Sequence, residues 1–217
     1  MKSVITIDGP SGVGKTTIGQ KIASKLNYHF FSSGKLYRYV SKYSYDENTK
    51  NFDDFQLTID IKGNCFINNI NYTDEELYTK NINNNSSEDA KNPLVRNLVK
   101  KTLLTFYNEI NNDDIYYGLV IEGRDMGSVV FPNAKYKIYL DADKSIRGKR
   151  REDQSHSQET MEEIIQRDLK DMSREESPLV IPKDSILIDN TNKTIDETIE
   201  TIIKKLKLLK LTNSYHF

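Results

Sequence analysis

The feature that most constrains this chain is a glycine-rich segment that directly follows a short apolar run. Residues 4–7 form the apolar run, Asp8 follows, and residues 9–16 read Gly-Pro-Ser-Gly-Val-Gly-Lys-Thr. This matches the pattern G-x-x-x-x-G-K-[ST], in which glycines let backbone N–H groups surround phosphate oxygens. The helix that follows directs its positive end at the same anion. The segment therefore predicts a strand, a phosphate-binding loop (P-loop) and a helix over about 15–27.

Within this loop, each residue type has a chemical role toward ATP. Lys15 supplies a mobile positive charge at the β- and γ-phosphates, and a hydroxyl holds Mg²⁺. Thr16 has the hydroxyl position of the pattern, but Thr17 is adjacent, so the sequence leaves the choice of metal-binding hydroxyl open. The residues predicted to bind ATP are Gly9, Ser11, Gly12, Val13, Gly14, Lys15, Thr16 and Thr17.

Other apolar runs extend the prediction to an α/β fold. Such runs lie at 28–31, 119–121, 138–140 and 186–188, and helix-like stretches lie at about 92–111, 143–152 and 159–173. A last helix is predicted to begin near 195, because Thr194 and Glu197 have capping-box spacing. Runs without alternation are typical of strands buried on both faces of a parallel sheet, whose ligands bind at the carboxyl ends of the strands.

The region 45–86 breaks this alternation of strands and helices. Leu57, Ile59 and Ile61 alternate with polar residues, and Lys-Gly-Asn follows at 62–64. This pattern predicts a hairpin with one wet face, and we interpret 45–86 as a small inserted β subdomain. The Asn- and Ser-rich run at 83–87 is interpreted as a flexible joint.

Length and charge bound the remaining possibilities. The 217 residues fit a single domain, 1–217, and the net charge of −1 predicts no attraction to nucleic acid or to an anionic membrane. No apolar stretch approaches the roughly 20 residues of a spanning helix. Cys65 is the single cysteine and the histidines are isolated in the sequence, so we expect a cytoplasmic protein without thiol or histidine chemistry.

Arginine is used sparingly, which makes its positions informative. The chain has eight arginines among 31 basic residues. A planar guanidinium binds phosphate or carboxylate with paired hydrogen bonds, which lysine cannot do. Arg167, Asp171 and Arg174 follow at i, i+4 and i+7 and share one helix face. From spacing alone, an exposed salt-bridge stripe is an equally good interpretation of these three residues.

Taken together, the motifs resemble the bacterial-type cytidylate kinases, a family of nucleoside monophosphate kinases. The resemblance covers residues 3 to about 207, and its most specific segment is Glu-Gly-Arg-Asp-Met-Gly-Ser-Val-Val-Phe-Pro at 122–132. The other matching segments are 7–15, 33–38, 167–174 and 177–179. The resemblance implies a five-stranded parallel sheet flanked by helices, a short lid at 147–160 and an insertion on the pyrimidine side.

The resemblance also implies the reaction and its residues. The chain is expected to transfer the γ-phosphate of ATP to CMP or dCMP with Mg²⁺ bound, and to be a monomer. Lys15, Arg124, Asp125, Arg150 and Arg174 are the catalytic residues that it implies, with Arg147 and Arg151 as further contacts of ATP. The acceptor is expected to contact Ser33, Tyr37, Arg38, Ser87, Arg96, Arg124, Asp125, Arg167, Asp171 and Arg174.

The choice of base is argued from hydrogen bonds. Cytosine offers an amino donor at N4, which a carboxylate accepts, and Asp125 is the candidate. Ser87 and Arg96 would donate to the acceptors of the ring. The alternative is that Asp125 serves Mg²⁺ or a neighbouring arginine.

Three other functions stay open at this point. The first is a P-loop kinase for UMP, AMP or thymidylate. The second is a regulatory GTPase, although Asn-Lys-Thr-Ile at 192–195 lacks the acid of the guanine-binding signature. The third is a family member that has kept the fold but lost turnover.

Overall fold

The computed structural model describes residues 1–152 and 161–212, in which strands and helices alternate along most of the chain. The strands are β1 (Ser3–Asp8), β2 (His29–Ser32), β3 (Leu57–Ile59), β4 (Cys65–Ile67), β5 (Gly118–Gly123), β6 (Tyr136–Asp141) and β7 (Ile186–Asp189). The α-helices are α1 (Lys15–Leu26), α2 (Gly34–Asp46), α3 (Asp74–Leu77), α4 (Lys80–Asp89), α5 (Pro93–Asn112), α6 (Lys144–Glu152), α7 (Met161–Met172) and α8 (Ile195–Thr212). A π-helical turn spans Met126–Val130.

Five strands form the predicted parallel sheet in the order β2-β5-β1-β6-β7. The central strands are buried on both faces. Ile5 and Ile7 of β1 pack in a core with α1 and α8, whereas Leu119 and Ile121 of β5 pack in the core on the opposite face. The apolar runs lack alternation because helices cover both sides of the sheet.

The predicted helices are confirmed, with ends set by local chemistry. The capping box predicted for α8 is present: the Thr194 hydroxyl accepts from the Glu197 N–H at 3.2 Å, and the Glu197 carboxylate accepts from the Thr194 N–H at 2.8 Å. The α5 helix begins with Pro93 after Asn92, whose side chain accepts from Leu94 N–H at 2.9 Å.

The predicted hairpin is formed by β3 and β4, which pair in antiparallel register. Leu57 and Ile59 are buried and Thr58 between them is exposed, as expected for one wet face. The hairpin packs against α5, and its residue Cys65, at the start of β4, is fully buried. Burial raises the pKa of the Cys65 thiol to about 12.

The rest of the range 45–86 corrects the prediction of a β subdomain. Only 57–67 forms the hairpin, and helices α3 and α4 follow it. The predicted flexible joint at 83–87 was wrong, because these residues lie inside α4. The side chain of Thr79 caps α4 by accepting from Ile82 N–H, and Asn83 and Ser86 are buried toward α2. Packing against α2 outweighs the weak helix propensity of the Asn and Ser residues.

The predicted lid at 147–160 falls only partly within the described residues. Residues 147–152 belong to α6, whereas 153–160 lie outside the described part. Within the described ranges, every helix is too short or too polar to cross a bilayer.

Candidate functional site

A cleft of about 500 Å³ lies beyond the carboxyl ends of the central strands. Asp8, the last residue of β1, pairs in register with Gly123 at the end of β5. The chain therefore leaves two neighbouring strands at the same level, one into the glycine-rich loop and the other into Arg124-Asp125. Parallel α/β sheets bind ligands at this edge, where connections leave neighbouring strands in opposite directions.

The loop at 9–16 can adopt its path only because of its glycines. Gly9 has a φ of 146° and Gly12 a φ of 77°, values that side-chain-bearing residues rarely adopt. A Cβ atom on Gly9 would lie 2.2 Å from Leu140 O, and one on Gly12 would lie 2.6 Å from Arg147 O. The loop is therefore packed directly against the backbone of its neighbours and is preformed for an anion.

Lys15 lies at the centre of the loop and is almost completely buried. Its ammonium donates to Gly9 O and Pro10 O, each at 2.8 Å. Burial, together with the nearby positive charge of Arg124, lowers the pKa of Lys15 from 10.5 to about 7. A phosphate group next to this ammonium would favour its charged form and raise its pKa again.

This lowered pKa predicts that ADP binding takes up a proton. At pH 8.5 the free loop holds Lys15 mainly neutral, and the bound phosphates restore its charge, so we expect uptake of about one proton per ADP. The terminal phosphate of ADP has a pKa near 6 and is already ionised at this pH, so it releases no compensating proton. Calorimetry in buffers of different ionisation enthalpy measures the uptake. A Lys15→Met variant that takes up the same number of protons would contradict the assignment.

Arg124 connects the two halves of the cleft. Its guanidinium donates to Gly9 O at 3.2 Å and to the Ser11 hydroxyl at 2.8 Å in the loop. On its other side it donates to the Asp171 carboxylate of α7 at 2.8 Å. One positive charge therefore lies between the phosphate-binding loop and α7, which carries two of the predicted acceptor residues, Arg167 and Asp171.

A second buried arginine pairs with the carboxylate after Arg124. Arg96 of α5 and Asp125 form an ion pair at 2.5 Å, with both side chains less than a tenth exposed. Arg96 also donates to Ala90 O at 2.9 Å and lies over the ring of Tyr37 at 5.6 Å. The neighbouring arginine weighed in the sequence analysis is therefore a real partner of Asp125, and it occupies the Oδ2 atom of that carboxylate.

Arg174 completes a cluster of positive charge that is only partly neutralised. It pairs with Asp171, and burial with the charges of Arg96 and Arg124 lowers the pKa of Arg174 to about 10. Within the described part of the chain, the Nε atoms of Arg96 and Arg174 are buried without a hydrogen-bond partner. Six basic and four acidic side chains line the cleft. This surplus of donors and positive charge fits a dianionic phosphate ligand.

Helices α2 and α4 supply another wall of the cleft. Arg38 of α2 donates to Asn83 Oδ1 of α4 and to Gly34 O, each at 2.9 Å, and stacks 4.5 Å from the ring centre of Tyr78. Ser87 lines the same wall. Helix α4 therefore positions Arg38 of α2. The interpretation of 83–87 as a flexible joint did not predict this contact.

Side-chain oxygen atoms near the loop are suitable ligands for a magnesium ion. The Thr16 hydroxyl donates to Glu122 Oε1 at 3.1 Å, and the Ser32 hydroxyl donates to the same oxygen at 2.5 Å. A buried carboxylate and hydroxyls are the hard oxygen ligands that Mg²⁺ prefers. Thr17 lines the cleft as well, so both threonines stay near the predicted metal position.

Most of the predicted site residues converge on this cleft, but Arg147 and Arg150 of α6 lie outside its lining. Gly9 and Val13 belong to the loop behind the lining. Arg147 is buried against the loop, Arg150 binds Asn190 at 2.9 Å, and the prediction for Arg151 falls on a side chain outside the described set. The lining includes Ser11, Gly12, Gly14, Lys15, Thr16, Thr17, Ser33, Tyr37, Arg38, Ser87, Arg96, Arg124, Asp125, Arg167, Asp171 and Arg174.

Besides Glu122, two further buried carboxylates beside the cleft had no assigned role in the sequence analysis. Asp8 is fully buried and accepts from the backbone N–H groups of Met126 and Gly127, each at 2.7 Å, so β1 fixes the turn that follows Asp125. Asp168 of α7 accepts from the Ser11 N–H at 2.9 Å. The i, i+3 spacing between Asp168 and Asp171 could have indicated that the two carboxylates share one helix face. For Asp8, the sequence offered only its position at the end of a predicted strand.

Comparisons with known proteins agree with this geometry. A family model described as cytidylate kinase matches residues 5–208. A cytidylate kinase of Fusobacterium nucleatum is 34% identical over 222 residues, covering 95% of this chain and 98% of that protein. One of Clostridioides difficile is 36% identical over 220 residues, covering 94% and 98%.

Solved structures show a similar fold at much lower identity. A gluconokinase from Sinorhizobium meliloti has a TM-score of 0.55 at 13% identity, covering 99% of this chain and 98% of that one. A shikimate kinase from Bacteroides thetaiotaomicron has a TM-score of 0.51 at 15% identity, covering 95% and 99%. These likenesses concern the fold alone.

Proposed function

Because the chain belongs to the cytidylate kinase family, we propose that its cleft is where the γ-phosphate of ATP is transferred to CMP or dCMP, giving ADP and CDP or dCDP. The observation that carries the proposal is the position of Arg124. Its guanidinium contacts the phosphate-binding loop on one side and Asp171 of α7 on the other. A phosphoryl group in transfer between two nucleotides would lie next to such a residue.

The reaction needs positioning and charge more than covalent help from the protein. A phosphate oxygen of the acceptor attacks the γ-phosphorus of ATP, and the bond from that phosphorus to the β–γ bridging oxygen breaks, so that ADP leaves. Lys15 and the loop amides would hold the β- and γ-phosphates. Arg124 and Arg174 would stabilise the charge that spreads over the transferred oxygens.

We further propose Thr16 and Glu122 as the residues that hold Mg²⁺ with the phosphates of ATP. When bound, the ion supplies charge neutralisation on the β- and γ-phosphate oxygens. Arg38, Ser33 and Tyr37 would hold the phosphate of the acceptor. We also propose that the chain acts as a cytoplasmic monomer on small nucleotides; its net charge of −1 offers no general attraction to nucleic acid.

The choice of base is assigned to the pair Arg96–Asp125. Asp125 would accept from the N4 amino group of cytosine through the oxygen that Arg96 leaves free, and Ser87 and Arg96 would donate to the acceptors of the ring. Uracil presents a carbonyl in place of this amino group, so a buried carboxylate would face it without a hydrogen bond. Sites built on such hydrogen bonds reject the unmatched analogue strongly.

A panel of acceptors tests the proposed function. The purified full-length chain is incubated with ATP, Mg²⁺ and CMP, dCMP, UMP, AMP or dTMP, and ADP formation is followed by a coupled assay. We expect CMP or dCMP to give the highest kcat/KM and the largest increase in Tm. Faster turnover of UMP, AMP or dTMP would contradict the proposed acceptor.

A further inference from the structure

The backbone of one residue in the phosphate-binding loop, Ser11, is held on both sides by an ion pair that joins two helices. The N–H group of Ser11 donates to Asp168 Oδ1 of α7 at 2.9 Å. The carbonyl of the same residue accepts from the Arg147 guanidinium of α6 at 3.0 Å. Arg147 and Asp168 are bonded to each other, and both are less than a tenth exposed. These contacts therefore fix the orientation of the two peptide units that flank the Cα atom of Ser11.

The arginine of this pair is itself held in place. Its Nε donates to Ala142 O at 3.1 Å, and its backbone lies so close to Gly12 that a Cβ there would meet Arg147 O at 2.6 Å. Arg147 thus sits behind the loop, outside the cleft lining. From this position Arg147 would act on nucleotide binding through the loop and not through a contact with the nucleotide.

The carboxylate of the pair connects the loop to the acceptor side. Asp168 is one residue from Arg167 and three from Asp171, and all three side chains belong to the same helix. Asp171 in turn holds Arg124 and Arg174. A displacement of α7 that accompanies acceptor binding would therefore act on the loop directly through Asp168.

We infer that Asp168, paired with Arg147, is a positioning residue that holds the phosphate-binding loop in its nucleotide-binding form and couples it to the acceptor-binding helix α7. The identity of the acceptor in this inference rests on the proposed function. The roles of Asp168 and Arg147 rest on their contacts in the structure. By linkage, if CMP improves ADP binding through this pair, ADP improves CMP binding by the same factor.

The test compares Asp168→Asn with wild type and with Glu162→Gln, which makes the same chemical change at an exposed position of α7. ADP affinity is measured by calorimetry with and without saturating CMP, so that no turnover occurs. In Asp168→Asn we expect the Kd for ADP to rise about tenfold or more, as for the loss of one hydrogen bond to a charged group. We also expect the effect of CMP on that Kd to shrink toward none. Glu162→Gln should match wild type in both.

A second variant separates positioning from mere stability. In Arg147→Met/Asp168→Leu both charges are replaced by apolar side chains, so no unpaired charge stays buried and the Tm should remain near that of wild type. Weak ADP binding without coupling to CMP in this folded variant would support the inference. Wild-type ADP affinity and coupling in either variant would overturn it.

The two proposals fail in different ways. If wild type phosphorylates CMP and Asp168→Asn binds ADP as tightly as wild type, only the role of Asp168 is refuted. If CMP is no substrate but Asp168→Asn still weakens ADP binding, only the proposed acceptor is refuted, and the coupling is then measured with the monophosphate that is turned over.

Discussion

Lys15→Ala is expected to lower kcat with CMP by about 10³-fold while leaving the chain folded. The variant would lose the positive charge that we propose lies next to the β- and γ-phosphates of ATP. The Tm should stay close to that of wild type, because burial lowers the pKa of Lys15 to about 7 and the ammonium therefore costs free energy in the empty fold. Steady-state kinetics and thermal unfolding at pH 8 measure both quantities.

The matched control is Lys25→Ala, which removes an exposed lysine from the same helix. This control should keep both kcat and Tm. Turnover of Lys15→Ala within a few-fold of wild type would contradict the role of the loop in phosphate binding.

Asp125→Ala is expected to narrow the preference for CMP over UMP and to destabilise the chain. The ratio of the two kcat/KM values, which such hydrogen-bonded sites can raise to about 10⁴, should fall by at least a factor of ten. The free energy of unfolding should decrease by about 3–5 kcal/mol, because Arg96 would keep its charge in a buried position without its carboxylate. Competition kinetics with both acceptors and urea unfolding measure the two effects.

A companion variant, Asp125→Asn, separates the two roles of this carboxylate. Its amide retains the shape and one acceptor oxygen for Arg96, and it gains a donor that matches the carbonyl of uracil. We therefore expect a smaller loss of stability and a larger shift toward UMP than in Asp125→Ala. An unchanged ratio in both folded variants would leave Asp125 as the partner of Arg96 alone.

The sheet and its loop could be predicted because their signals are local. Residues 4–7 and 119–121 are buried on both faces, so their apolar runs needed no knowledge of neighbours to be interpreted as central strands. The glycines of the loop are required by its backbone path. The resemblance to cytidylate kinases, found in these motifs, is confirmed by the family match over residues 5–208.

The errors arose where distant contacts decide the structure. The Asn- and Ser-rich run at 83–87 is helical because it packs against α2, where Asn83 binds Arg38, 45 residues earlier. The pairing of Arg147 with Asp168 joins two helices and was invisible in the spacing of either residue. Arg150 was assigned to catalysis by resemblance, but in the structure its guanidinium binds Asn190 after β7; its catalytic role stays a prediction.

The buried position of Cys65 has a practical consequence for spectroscopy. The thiolate is the reactive form of cysteine, and a pKa of about 12 together with full burial leaves this thiol nearly inert toward maleimide dyes at neutral pH. Fluorophores could therefore be attached at cysteines introduced on α1 and α7 without removing the native one. Single-molecule energy transfer between them would report how the distance between these helices changes as each nucleotide arrives.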